Sequence, residues 1–245
     1  MSQSTEGQVG VDPISQPPGR WEIHVAEPGS QLFHEAAQLE ADVFSDWFDN
    51  SAADLETIYK PHQERMDLIA IVAPVGKVAG ASRHAWSKPQ KPSLTFSEMS
   101  APPFSTDPSS LVKRVGGYDK FLDVLSVAAA PWLDAEELPM ASIGMMGAIG
   151  LQAQRRDLTW VVSLMDDVVS AYFAEIFNIP INRINDSPSF PYMGSPKTAP
   201  IECGIEASFR DGAVVAGPAA IEISLGDPSK VGFWVCEALR RPPSA

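Results

Sequence analysis

Apolar and polar positions alternate over Trp21–Ala26 (WEIHVA), which predicts a half-buried first strand closed by Pro28-Gly29-Ser30. The period then changes. Leu32, Ala36, Leu39, Val43 and Trp47 recur at helical spacing and predict a long amphipathic helix. Asp54–Tyr59 reads as a short helix stopped before Pro61. Leu68–Ala73 and Val78–Trp86 flank the turn residues Pro74–Lys77 and predict a hairpin. Ser87–Gly117, rich in Pro and Ser, has no sustained period and reads as a long surface loop that could cover a ligand cleft. Phe121–Ala129 is the best central strand, followed by a helix over Pro139–Arg155 and a buried strand at Thr159–Met165. Asp166-Asp167 can cap a further helix whose stripe is Val168, Val169, Tyr172, Phe173, Ile176 and Phe177, with Pro180 beyond its end. Ile201–Phe209 and Val231–Leu239 read as late strands.

This order is neither all-helical nor a strict alternation of strand and helix. It predicts an α/β (α+β) fold with a mixed sheet and helices on both faces. The 245 residues divide into a loose leader over 1–19 and one expected domain over 20–240, with a frayed tail from Arg241.

Charge removes one class of partner. A net charge of −13 repels nucleic acid and anionic membrane, and the basic pairs Lys113-Arg114, Arg155-Arg156 and Arg240-Arg241 are isolated. The first twenty residues lack a basic start followed by an apolar run, so no signal peptide is expected. Cys203 and Cys236 cannot build a disulfide framework and read as buried thiols, with the cytoplasm as the expected compartment. The four histidines, at 24, 34, 62 and 84, lack zinc-site spacing, and no metal is expected. Nucleophile-elbow, phosphate-loop and dinucleotide motifs are absent from the sequence.

Several segments carry a resemblance. Asp123–Ala128 (DVLSVA), Arg156–Leu164 (RDLTWVVSL) and Ile176–Arg183 (IFNIPINR), followed by Gly194-Ser-Pro196 and Ile201–Ser208, stand in a recognisable order. Upstream lie Val43-Phe44 and Val78–Arg83 (VAGASR). Together they resemble the GNAT acyltransferases, most closely the acyl-homoserine-lactone synthase and N-acyl-amino-acid synthase branch. Val124 and Val127 stand where that branch has Glu and Arg, and Tyr59 stands at the last of its acidic positions. The resemblance implies a GNAT-like mixed sheet with splayed central strands. It also implies an acyltransferase whose donor is acyl-CoA or an acyl-carrier protein and whose acceptor is a small amine or amino-acid-like molecule. The donor's pantetheine arm would lie along Leu125, Ser126 and Val127, with its phosphates at the start of the next helix, Ile143, Gly144 and Gly147. Glycines at 144, 147 and 150 equally suit tight packing of that helix on a sheet.

Amine acylation needs a base and a hold on the thioester oxygen. Glu40 shares a helix column with Ala36 and Phe44, which places its carboxylate at the edge of the buried stripe. It is the candidate base or amine-binding anion, with Arg83 and Asp123 as the other catalytic candidates; each has an ordinary structural role open to it as well. His84 is more often structural than catalytic in such a strand. Two other readings stay open: a different small-molecule enzyme on the same scaffold, and a non-catalytic ligand-binding module.

Overall fold

The computed structural model describes residues 20–88, 93–177, 179–205, 209–210, 213–214 and 233–235. The expected leader, the C-terminal tail, Cys236 and most of the strand expected at Val231–Leu239 lie outside them.

β1 (Trp21–Ala26) leads into α1 (Gln31–Phe48), whose first turn is capped by Ser30 accepting from the Phe33 N–H. α2 (Ala52–Tyr59) starts in a capping box between Ser51 and Asp54. β2 (Met66–Val72) and β3 (Val78–Trp86) form the expected hairpin, with Gly76 at φ 78° in its turn. α3 (Leu94–Met99) and α4 (Ser109–Val115) follow, then β4 (Phe121–Ala129), α5 (Glu137–Arg155), β5 (Trp160–Asp166) and α6 (Asp167–Phe177). The short strands β6 (Asn182–Arg183) and β7 (Phe190–Tyr192) precede β8 (Ser195–Gly204). Last come β9 (Phe209–Arg210), β10 (Ala213–Val214) and β11 (Phe233–Val235).

The described strands of the main sheet run β11-β1-β2-β3-β4-β5-β8-β6, with β7 also on β8. Side-chain alternation divides β2 between two layers. Ile69 and Ile71 join Leu122, Val124, Met145 and Ile149 under α5, whereas Leu68 and Ala70 meet Ala36 under α1. Helices therefore cover both faces, as expected.

β4 and β5 are parallel but pair only at Phe121↔Trp160, Leu122↔Val161 and Asp123↔Val162. Beyond Asp123 they separate. β4 is also bulged: Arg83 faces Ser126 and His84 faces Val124, which leaves Leu125 as an extra residue. A bulge bends its strand and raises local twist, so β4 leans towards β3 while β5 stays with β8. The Ser163 hydroxyl donates to the Val124 carbonyl at 2.7 Å and closes the base of the gap.

Three expectations are corrected. Ser87–Gly117 is not one loop, because its described part carries α3 and α4. Phe96, Met99, Phe104 and Leu111 bury there against Phe121 and Val162 in a core of their own. Helices of six and seven residues are too short to display a period in the sequence. Trp47 and Val168, counted on buried stripes, are 76% and 75% exposed, because the buried face of α1 runs through Ala36, Glu40 and Ala41. Third, α5 begins at Glu137, so Ile143, Gly144 and Gly147 are interior residues of a helix and not its start. No helix among the described residues is long and apolar enough to cross a membrane.

Candidate active site

The gap between β4 and β5 opens into a cavity of about 120 Å³ on the face covered by α1, α2 and α3. Leu125, Ser126 and Val127 form one wall and Ser163, Leu164 and Met165 the other. Phe44, Phe48, Ile58 and Tyr59 close it from α1 and α2, while Leu94, Thr95 and Glu98 close it from α3. Tyr192, Met193, Ser195 and Thr198 of the β7–β8 hairpin complete it, with Asp166 at the end of β5.

Behind Ser126 and Tyr59 lies Glu40, with 1% of its surface exposed. Its carboxylate has three donors. The Tyr59 hydroxyl donates to Oε1 at 3.0 Å, the Ser126 hydroxyl donates to the same oxygen, and Arg83 Nε donates to Oε2 at 2.6 Å. The Arg83 guanidinium also lies 4.4 Å from the centre of the Tyr59 ring. Burial, then the Glu40 charge, pushes the Tyr59 hydroxyl well above its ordinary value. It therefore remains a proton donor to Glu40 at neutral pH. The small buried side chains of Ala36 and Ala41 let α1 sit close on the sheet, and Glu40, one turn on from Ala36, is carried down onto Ser126.

Asp123 is fully buried and turned to α3, where its carboxylate accepts from the Thr95 N–H at 3.1 Å and the Thr95 hydroxyl at 2.5 Å. Burial pushes its carboxyl up, opposed by these hydrogen bonds. Its partner Thr95 lines the cavity; Asp123 does not.

A second void of about 30 Å³ lies on the opposite face of the same gap. Met146 and Ile149 of α5 and Phe173 of α6 line it with Ile201, Cys203 and other apolar residues. Val124, Val127 and Met165 belong to both voids, so the splayed strands are a thin partition between them.

The start of α5 departs from the expected phosphate site. The Asp134 carboxylate accepts from the Glu136 and Glu137 N–H groups at 2.8 and 2.9 Å. The Leu138 N–H bonds the Asp134 carbonyl at 3.0 Å, and Pro139 has no N–H. Donors that could hold a phosphate are already occupied, beside three acidic side chains. Ile143, Gly144 and Gly147 lie deep in the helix, where backbone N–H groups bond within the helix itself.

Of the sequence candidates, Leu125, Ser126 and Val127 line the cavity, Glu40 and Arg83 stand one layer behind it, and Asp123 braces α3. Tyr59, Glu98, Asp166 and Tyr192 were missed as site residues. Tyr59 precedes Pro61 at the end of a short helix and gives no local signal; the other three meet only through the tertiary fold.

No protein-family model and no curated protein sequence matches this chain. Solved structures do. The acyl-homoserine-lactone synthase LasI is 12% identical with a TM-score of 0.51, over 76% of this chain and 91% of its own. FeeM, an N-acyl amino acid synthase from uncultured soil microbes, is 10% identical with a TM-score of 0.50, over 76% of this chain and 89% of its own. The C-terminal condensation domain of Ebony, solved in complex with beta-alanyl-dopamine, is 11% identical with a TM-score of 0.50, over 76% of this chain and 99% of its own. These likenesses show the fold alone, a GNAT-like mixed sheet; the splay of β4 and β5 that the sequence resemblance implied is seen in this chain's own strand pairing.

Proposed function

We propose that the protein transfers an acyl group from a thioester, carried on coenzyme A or a carrier protein, to a small amine. The observation that carries this reading is the splayed β4–β5 gap lined by Ser126 and Tyr59, whose hydroxyls donate to a buried carboxylate behind both. The pantetheine arm lies along the free edge of β4 at Leu125, Ser126 and Val127. Its acyl chain enters between the strands towards the apolar void under α5 and α6. Burial of each methylene there favours binding by about 0.8 kcal/mol.

The amine nitrogen then attacks the thioester carbonyl carbon. The new C–N bond forms and the C–S bond breaks. An ammonium acceptor gives up two protons in the process. One passes to Glu40 through the Ser126 hydroxyl, which hands on its own proton as it takes the incoming one. The other ends on the departing sulfur, so that amide and thiol are the products. Tyr59 and Arg83 are positioning residues: they hold the two oxygens of Glu40. The Ebony domain, held with an N-acylated amine, supports an amide-forming role for this scaffold.

The test is turnover. Octanoyl-CoA, octanoyl-pantetheine and an octanoyl-carrier protein are each incubated with a panel of amines and amino acids, and thiol release and amide mass are followed. Amide from at least one donor supports the reading. Tight donor binding with no amide from any acceptor rejects it in favour of a ligand-binding module.

A further inference from the structure

Two carboxylates reach the cavity from different elements and converge on one hairpin. Tyr192 and Ser195 face each other across the β7–β8 turn. The Tyr192 hydroxyl donates to Glu98 Oε2 at 3.0 Å, and the Ser195 hydroxyl donates to Asp166 Oδ2 at 2.6 Å. Asp166 Oδ1 accepts from the Val168 N–H at 2.8 Å. All three donors are neutral. They fix the carboxylates without cancelling their charge, and burial together with the Glu98 charge pushes the Tyr192 hydroxyl up, so it stays a donor.

Among the described residues several other carboxylates are paired with a cation, while Asp123 and Asp134 also accept only from neutral donors but do not line this cavity. Glu40 is paired with Arg83, Asp67 with Arg156, Asp167 with Arg183 and Glu202 with Arg114. Glu98 and Asp166 have no such cation among the described residues, and no described residue lining the cavity is Lys, Arg or His. A ligand carboxylate placed there meets two half-buried carboxylates and no counter-charge, in a cleft walled by Phe44, Phe48 and Met193. A ligand ammonium meets the reverse.

We propose that Glu98 and Asp166 hold the ammonium of an acceptor that has no carboxylate of its own, which makes the acceptor a primary alkyl- or arylalkylamine and not an amino acid. This rests on the acyl-transfer reading for its chemistry, but the recognition is a separate property of the cavity. The apolar walls take the body of the amine, and the polar hairpin end takes its charge.

The experiment compares matched pairs that differ only by the carboxylate, tyramine with tyrosine and isopentylamine with leucine, using octanoyl-pantetheine as donor. The expected result is a preference for the amine of about a hundredfold in kcat/KM, which lies between the water and protein-surface limits for two unit charges about 4 Å apart. Glu98→Gln and Asp166→Asn keep acceptors for Tyr192 and Ser195, and each raises KM for tyramine with less change in kcat. Equal use of both members, or preference for the amino acid, overturns this acceptor class while leaving acyl transfer standing. If no acceptor gives amide, acyl transfer itself fails, and calorimetric titration of tyramine into the wild-type protein and both variants still decides the cationic site. Binding weakened about tenfold or more by either variant supports it. Absence of binding, or binding indifferent to both variants, overturns it.

Discussion

Glu40 stands between Ala36 and Phe44 on one column of α1, and that column alone places a carboxylate at the sheet. What the column does not reveal is the company it keeps there. Arg83, Tyr59 and Ser126 come from three other elements, and together they turn a boundary residue into one with 1% exposure. A buried ion pair is costly to break on one side, because the remaining charge is left without compensation. Glu40→Gln should therefore lose about 3–5 kcal/mol of stability, and Glu40→Gln with Arg83→Met should recover most of it, both read by urea unfolding. In the double variant turnover should still fall by about a hundredfold or more, the usual contribution of a general base, with the KM for the thioester little changed. Full activity in that folded variant would remove Glu40 from the mechanism. His84 is a second residue whose role the fold decides. It is 0% exposed, its Nε2 lies 2.8 Å from the Ser82 hydroxyl, and burial lowers its pKa to about 3. The folded state then binds fewer protons than the unfolded state between the ordinary histidine value near 6.5 and about 3. Its contribution is fully present above that upper value and is lost as pH falls towards the lower one, by about 1.4 kcal/mol per unit in between. Asp123, with its carboxyl raised, acts with the opposite sign in the acid part of that window. Urea midpoints at pH 7.5 and 5 should differ markedly for the wild type and much less for His84→Gln. An identical pH dependence in both would show that His84 does not titrate on unfolding.

At the scale of elements, the strands and long helices were legible in the sequence because their periods survive over many residues: the hairpin of β2 and β3, the central β4, and the α6 cap at Asp166 all lie where alternation or capping put them. α3 and α4 were not, since one or two turns of helix built around Pro and Ser carry no period, and their order comes from burying Phe96, Met99 and Leu111 against β4 and β5. The span of α5 was read to within two residues, from Pro139 against Glu137. What misled was the glycine spacing at 144, 147 and 150, which suits a phosphate site at a helix start as well as close packing within a helix. Contact between distant elements is equally invisible, and the tip of the β7–β8 hairpin is an example. Gly194 has φ 76°, and a Cβ built on it would stand 1.7 Å from the Phe48 carbonyl oxygen at the end of α1. The Asn50 side chain donates to the Met193 carbonyl at 2.7 Å alongside it. This seam holds Tyr192 and Ser195, and through them Glu98 and Asp166, against the α1 end of the cavity. Gly194→Ala should cost at least about 2 kcal/mol, from left-handed backbone strain and the displaced helix end. It should raise the KM for the acceptor more than that for the donor, as seen in unfolding curves and initial rates; an alanine that changes neither would show that the seam is loose.

For the whole molecule, a net charge of −13 acts on every charged ligand before any specific contact forms. The two proposed substrates carry opposite charges. An amine acceptor is a cation drawn towards the protein and towards Glu98 and Asp166, while acyl-CoA carries several phosphate charges and is repelled, with the capped start of α5 offering no free N–H groups to offset the repulsion. Salt reaches these interactions unequally. The screening length falls from about 30 Å at 0.01 M to about 8 Å at 0.15 M ionic strength, so the field of the whole molecule is largely removed while contacts inside the cavity are weakened less. Raising ionic strength across that range should therefore raise the KM of tyramine several-fold and lower the KM of octanoyl-CoA. The uncharged octanoyl-pantetheine should keep its KM, which separates screening from any general effect of salt on the fold. Initial rates at fixed pH with sodium chloride as the variable measure all three. A KM for octanoyl-CoA that rises with salt would reveal a cationic phosphate site, and a KM for tyramine that falls would place the acceptor's charge away from the acidic end of the cleft.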